Sequence, residues 1–245
     1  MAAVTLLAAR DLVKDFGGLR AVDVAAFDLP EGEIRAVIGP NGAGKTTFVS
    51  LLSGRIAPSA GRIALDGRDI TGMPAHERVA LGIAYTFQIT SVFAELTLMD
   101  NVALPLQRRA SLEGTRLDLR EAGLAALDRV GLAGRADEIA REQSYGHQRL
   151  LEIAMGLALR PRLLILDEPT QGLADSEIEA FLALIREVAR QTTILLIEHN
   201  MNVVMALAER ITVLDMGRVL AEGTPAEISS DEAVQAAYLG TGANA

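Results

Sequence analysis

The sequence predicts an α/β nucleotide-binding fold, and three observations predict it. Short, wholly apolar runs such as Leu163–Leu166 and Ile194–Ile197 read as strands buried on both faces. The stretch Gly39–Pro40–Asn41–Gly42–Ala43–Gly44–Lys45–Thr46–Thr47 fits G-x-x-x-x-G-K-[ST] without a mismatch. It lies between an apolar strand, Ile34–Ile38, and a helix that continues through Phe48–Leu52, which is the setting a phosphate-binding loop requires.

That loop anchors the functional reading. Its glycines let the backbone curl so that N–H groups converge, and the following helix adds partial positive charge at its N-terminus. Lys45 supplies a point charge for the β/γ-phosphates, and the Thr46 hydroxyl is an oxygen ligand suited to Mg²⁺. Of 23 basic residues only Lys14 and Lys45 are lysines, so a chain that avoids lysine places one here.

The chain as a whole bounds the rest. With 245 residues, half of them apolar, it can bury one large core. A net charge of −9 argues against a nucleic-acid surface, and the absence of cysteine excludes disulfides and thiolate metal sites and suits a reducing cytoplasm. The apolar start, Met1–Ala9, lacks a basic leading segment and is expected to be a first strand. Its apolar runs are far short of the roughly 20 residues that span a bilayer, so any membrane role is expected to be peripheral.

In chain order, Leu6–Val13 and Val22–Leu29 predict an antiparallel lip turning at Phe16–Gly17–Gly18, where an aromatic face is placed to stack on a purine. Gly61–Gly67 predicts an edge hairpin, and Pro74 opens a short helix running to Leu81. Ile83–Phe87 is a strand that delivers Gln88 to the ligand-gathering edge of the sheet. From Leu96 to Arg160 the pattern turns helical, over Leu98–Gln107, Asp118–Val130 and Gln148–Leu159, with Arg108–Gly114 expected as a flexible, solvated break.

Two further stretches carry chemistry. Ser144–Tyr145–Gly146–His147–Gln148 opens a helix and forms a second anion surface. Strand Leu163–Leu166 ends in Asp167–Glu168, acids suited to hold Mg²⁺ and to orient an attacking water. Ser176 and Glu179 have capping-box spacing on the next helix, which is expected to run to Gln191. Strand Thr193–Ile197 brings His199 to the same edge, able to donate to a γ-phosphate, whereas His76 reads as a surface residue. A hairpin around Met216–Gly217 and two short helices complete the chain.

Taken together, these motifs resemble the ATPase subunits of ABC transporters over nearly the full chain. The signature-like Ser144–Gln148 segment is decisive, because the phosphate loop alone is shared with unrelated NTPases. The resemblance implies a P-loop ABC ATPase core with an antiparallel β lip and an inserted α-helical subdomain. It would be one domain over 1–245, with the core at 1–88 and 161–245 and the helical subdomain at 89–160.

The resemblance also implies roles. Phe16 and residues Gly39 to Thr47 would bind ATP; Glu168, His199, Lys45 and Gln88 would be catalytic; Thr46, Gln88 and Asp167 would hold Mg²⁺. Ser144, Tyr145, Gly146, His147 and Gln148 would complete the site of a second subunit in a head-to-tail homo- or heterodimer. Transmembrane permease subunits and a periplasmic substrate-binding protein would be the other partners, with this chain at the cytoplasmic face of the membrane.

Thr86–Phe87–Gln88, the Ser144–Tyr145–Gly146 form of the signature and Gly223–Thr224–Pro225 leading to Tyr238–Leu239–Gly240 are most similar to the branched-chain amino-acid importer subgroup. Gln143 in place of leucine, His147 in place of glycine or glutamine, and Ala174 in place of an aspartate depart from the family pattern. Asp175 is expected to be a helix cap. The same motor chemistry would serve an ATPase of lipid or lipopolysaccharide export, or a soluble ATPase of an assembly machine, and partner identity separates the three.

Overall fold

Apolar strands buried on both faces pair in parallel and bring their C-terminal ends to one edge, and that edge is where the candidate site lies. The structure is a computed structural model describing residues 4–86 and 91–240, the last three of these by backbone only. Its elements in order are β1 (Thr5–Phe16), β2 (Leu19–Pro30), β3 (Ile34–Ile38), α1 (Lys45–Leu52), β4 (Ala60–Leu65), β5 (Arg68–Asp69), α2 (Ala75–Ala80) and β6 (Ile83–Tyr85). There follow α3 (Leu98–Glu113), α4 (Leu119–Asp128), α5 (Tyr145–Ala158), β7 (Leu163–Asp167), α6 (Asp175–Val188) and β8 (Thr193–Ile197). Then come α7 (Met201–Leu207), β9 (Arg210–Asp215), β10 (Arg218–Gly223), α8 (Pro225–Ser230) and α9 (Glu232–Gly240).

One sheet has the order β10-β9-β3-β8-β7-β6, parallel except for β10. Alternate residues serve opposite faces, as the two-residue period of a strand requires. Leu163, Ile165, Leu195 and Ile197 join α1 and the lip in one apolar cluster, while Leu164, Leu166, Ile194 and Leu196 join the helices on the other side. The lip is the antiparallel sheet β2-β1-β4-β5. Arg35 interrupts the apolar run of β3 yet stays buried, because Glu33, Thr212 and Glu222 all bond its guanidinium.

Helices α3, α4 and α5 pack on one another and share their apolar cluster with the sheet. Here the structure corrects the expected break at Arg108–Gly114. Helix α3 continues through Pro105 to Glu113 and stops at Gly114, which caps it in the left-handed conformation. The cause is Arg109, which is buried rather than solvated and donates to the carbonyl of Ala158 at 2.9 Å, at the end of α5. Orphan carbonyls at a helix C-terminus favour such a cation.

The capping of α6 differs too. The helix starts at Asp175 with Ala174 at the cap position, so Asp175 is its first helical residue and not its cap. Glu177, not Glu179, folds back to accept the Ala174 N–H at 2.8 Å. Alanine has no side-chain acceptor, so only that half of a capping box forms. The helix also ends at Val188, short of Gln191.

Candidate nucleotide site

The phosphate loop leaves β3 and enters α1 along a path that only glycine can follow. At Gly39 (φ +151°) a Cβ would lie 2.0 Å from the Leu214 carbonyl oxygen, and at Gly44 (φ +93°) 2.4 Å from that of Ala21. The loop is bolted to its surroundings at the β9–β10 turn. The Gly217 N–H donates to the Ala43 carbonyl at 3.0 Å, and the Gly217 carbonyl accepts from the Asp23 N–H at 2.7 Å. Lys45 curls back over the loop, its Nζ 2.6 Å from the Gly39 carbonyl oxygen and 3.0 Å from that of Pro40. Burial pushes its pKa down, while Glu168 and Asp167 pull it back up.

An open cleft of about 710 Å³ lies over this loop. Residues Asn41 to Thr47, Phe16 and Glu168 line it. Phe16 is 50% exposed, with the Lys14 ammonium 5.1 Å from its ring centroid, so both lysines of the chain lie at or beside this cleft. The sequence reading missed Leu19, Arg20, Ala21, Met216 and Gly217, which complete the lining. Met216 is 84% exposed at the tip of its hairpin, and such turn residues carry no motif.

Strands β7 and β8 deliver the polar groups side by side, with Asp167 in register with Ile197. Asp167 is buried; its Oδ2 accepts from the Tyr85 hydroxyl at 2.6 Å, and its Oδ1 is buried without a hydrogen-bond partner among the described residues. Burial pushes its carboxyl pKa up, opposed by the Tyr85 hydrogen bond and reinforced by the neighbouring Glu168. Glu168 sits in the left-handed region (φ +48°), a conformation costing about 1–2 kcal/mol for an L-residue. Its N–H donates to the Ile197 carbonyl at 2.9 Å and its carbonyl accepts from Arg149 Nη2 at 2.9 Å. Arg149 also donates to the Asp167 carbonyl and pairs with Glu152 at 2.7 Å, and it is wholly buried.

His199 is 62% exposed by side chain, its Nδ1 3.9 Å from Glu168 Oε1. Glu198, buried beneath it, ties the two loops together. One carboxylate oxygen accepts the Thr170 N–H at 3.1 Å and the Thr170 hydroxyl; the other accepts the N–H groups of His199 at 2.8 Å and Asn200 at 2.9 Å. Glu198 closes an apolar strand as Asp167 does, but the sequence reading gave it no role in holding the site. Gln88 lies outside the described residues, as does Phe87.

The signature-like segment is built but stands apart. Ser144 caps α5, its Oγ accepting from the His147 N–H at 3.2 Å. At Gly146 a Cβ would lie 2.6 Å from the Glu177 carboxylate, so a side chain there would have to displace that carboxylate, and the Tyr145 ring fills the space beside Gly172. Gln143 is buried and donates to Glu138 at 2.8 Å, while its carbonyl accepts from Gln148 at 3.1 Å. None of residues 144–148 lines the cleft over the phosphate loop.

A parallel sheet with a glycine-rich phosphate loop, an acid pair and a histidine along one edge, flanked by an antiparallel lip and a helical layer, defines a P-loop ATPase. The chain belongs to the ABC transporter family, whose profile matches residues 22–171. A second profile, for branched-chain amino acid ATP-binding cassette transporters, matches residues 218–244. The high-affinity branched-chain amino acid transport ATP-binding protein LivG of Salmonella typhimurium is 41% identical, over 96% of this chain and 98% of its own. BraF of Pseudomonas aeruginosa, with the same description, is 39% identical over the same shares. Among solved structures, an ATP-binding cassette of an ABC transporter in its ADP conformation superposes with a TM-score of 0.82 at 26% identity, covering 96% of this chain and 99% of that one. Among the described residues no helix is long and apolar enough to cross a membrane.

Proposed function

We propose that this chain is the ATP-binding and ATP-hydrolysing subunit of an ABC importer for branched-chain or other hydrophobic amino acids. It would work as a dimer on separate transmembrane subunits at the cytoplasmic face, supplied by a periplasmic substrate-binding protein. The observation that carries the motor reading is one cleft holding the phosphate loop, Phe16 and Glu168. The importer reading is supported by the relatives' names and by the C-terminal match.

Residues Gly39, Pro40, Asn41, Gly42, Ala43 and Gly44 would wrap the phosphates, with Lys45, Thr46 and Thr47 opening the helix beneath them, and Phe16 would take the base. The oxygen donors fit Mg²⁺: the Thr46 hydroxyl and the buried Oδ1 of Asp167, which has no hydrogen-bond partner among the described residues, are the hard ligands that ion prefers. When bound, Mg²⁺ supplies neutralisation of phosphate charge. Glu168 would orient the water that attacks the γ-phosphorus and accept its proton as the bond to the β-phosphate oxygen breaks, giving ADP and phosphate. Lys45 and His199 would stabilise charge on the transferring group.

The separation of Ser144–Gln148 from this cleft supports completion by a second subunit. In that arrangement Ser144 and Gly146 of one subunit cap the phosphates held by the other.

Copurification from detergent-solubilised membranes tests the assignment. Integral membrane partners together with ATP-dependent amino-acid uptake in proteoliposomes support it, whereas soluble partners alone would favour an assembly ATPase and a lipid-export complex would favour the third reading.

A further inference from the structure

Asp167 divides its two oxygens between two environments. Oδ2 accepts from the Tyr85 hydroxyl at 2.6 Å, while Oδ1 is buried and has no hydrogen-bond partner among the described residues. The phenol is itself oriented. Arg55 Nη1 donates to the Tyr85 oxygen at 3.0 Å, and the guanidinium lies 4.9 Å from the centroid of the Tyr85 ring. A phenol has a single proton, and with Arg55 donating to its oxygen that proton goes to Asp167.

The backbone fixes the arrangement. Tyr85 ends β6 and pairs with Ile165 of β7, two residues before Asp167 on the adjacent strand. A buried carboxylate oxygen without a donor is unfavourable, so Oδ1 is kept bare, among the described residues, against the fold's own stability. Asp167 does not line the cleft itself, yet its charge reaches Lys45 of the phosphate loop, and retention of a bare oxygen there makes sense if a cation completes it.

We propose that Tyr85 is a positioning residue for the divalent cation. By occupying Oδ2, its hydroxyl fixes the rotation of the Asp167 carboxylate and reserves Oδ1 for the ion. The inference rests on the reading of Asp167 as a cation ligand, and it adds a residue that no motif in the sequence marks. Partners that orient a ligating carboxylate typically contribute 10- to 100-fold to metal affinity.

The test is Tyr85→Phe, which deletes only the hydroxyl. Mn²⁺ is titrated by electron paramagnetic resonance into the full-length protein carrying a non-hydrolysable ATP analogue. Mn²⁺ affinity about 10-fold weaker than wild type is expected, with analogue affinity in EDTA unchanged. Wild-type Mn²⁺ affinity in Tyr85→Phe overturns the proposal. Asp167→Asn, measured alongside, separates the two layers: if it too binds Mn²⁺ like wild type, the reading of Asp167 itself fails. Should Tyr85→Phe not fold, Arg55→Met, which frees the phenol to turn away, carries the same test. A weakened Mn²⁺ affinity there supports the proposal and an unchanged one overturns it.

Discussion

Replacing Glu198 by glutamine probes how the acid pair and His199 are held in one place. The carboxylate is buried and accepts four donors, the N–H and hydroxyl of Thr170 on one oxygen and the N–H groups of His199 and Asn200 on the other. Glutamine offers one oxygen and one NH₂. Its best arrangement turns the amide oxygen to His199 and Asn200 and the NH₂ to the Thr170 hydroxyl, which can rotate to accept. The Thr170 N–H is then buried and opposed by a donor, costing about 1–3 kcal/mol, and two charge-assisted bonds become neutral ones at about 1 kcal/mol each. Relief from holding a buried charge offsets part of this, leaving about 2–4 kcal/mol. At about 2–4 °C per kcal/mol for a chain of this size, the melting temperature of Glu198→Gln falls by roughly 5–15 °C. Differential scanning calorimetry on the nucleotide-free protein reads it. A midpoint within about 2 °C of wild type would show that the carboxylate does not hold these loops, since the cost rests on the hydrogen-bond arithmetic.

Other outcomes follow from the same site. Glu168→Gln keeps ATP binding and turns over at least ~100-fold more slowly, the scale of a lost general base; wild-type turnover would remove Glu168 from that role. Glu168→Gln dimerises with ATP, and adding Ser144→Arg abolishes the dimer; a strictly monomeric ATP complex in light scattering contradicts the shared site. For Lys45 the sign is set by its lowered folded pKa. Charged in both states below that value, it opposes folding, and the opposition fades as pH rises from the lowered value toward 10.5. Lys45→Met is therefore no less stable than wild type near neutrality without nucleotide, yet loses the ATP-induced rise in melting temperature.

Much of this was legible in the sequence because double burial leaves a plain mark. Leu163–Leu166 and Ile194–Ile197 serve two apolar clusters at once, so no polar residue interrupts them and the residues after them fall at the ligand edge. The phosphate loop was legible because its glycines, lysine and threonine stand at fixed spacing within one short stretch, Gly39 to Thr47. What escaped depends on distant partners. Arg109 reads as a solvated charge until the end of α5 stands beside it, and only that carbonyl makes the helix through Glu113 intelligible. Tyr85 and Arg149 reach across strands and layers to the acid pair, and neither carries a local pattern. The cap of α6 was misplaced because the helix begins after Ala174, which carries no side-chain acceptor to mark it, so Glu177 three residues on, rather than Glu179, folds back onto the cap.

Arg149 joins the helix that Ser144 caps to the acid pair. It sits in the second turn of α5, the helix whose N-terminus Ser144 caps, and its guanidinium grips the backbone carbonyls of Asp167 and Glu168. Its charge partner Glu152 lies on the same helix, so letting go of the acid pair would keep that ion pair and lose the charge-assisted bonds to the two carbonyls, about 1.5–3 kcal/mol each. Helix α5 and the acid pair are thereby tied through one side chain. In the proposed dimer, Ser144 meets the nucleotide of the other subunit while Glu168 serves its own. A displacement of α5 on engaging the partner's phosphates would then reach Glu168 through one side chain, rather than through a long chain of contacts. The strained backbone of Glu168 lies directly at that point of attachment, where a small shift of a carbonyl redirects a carboxylate most.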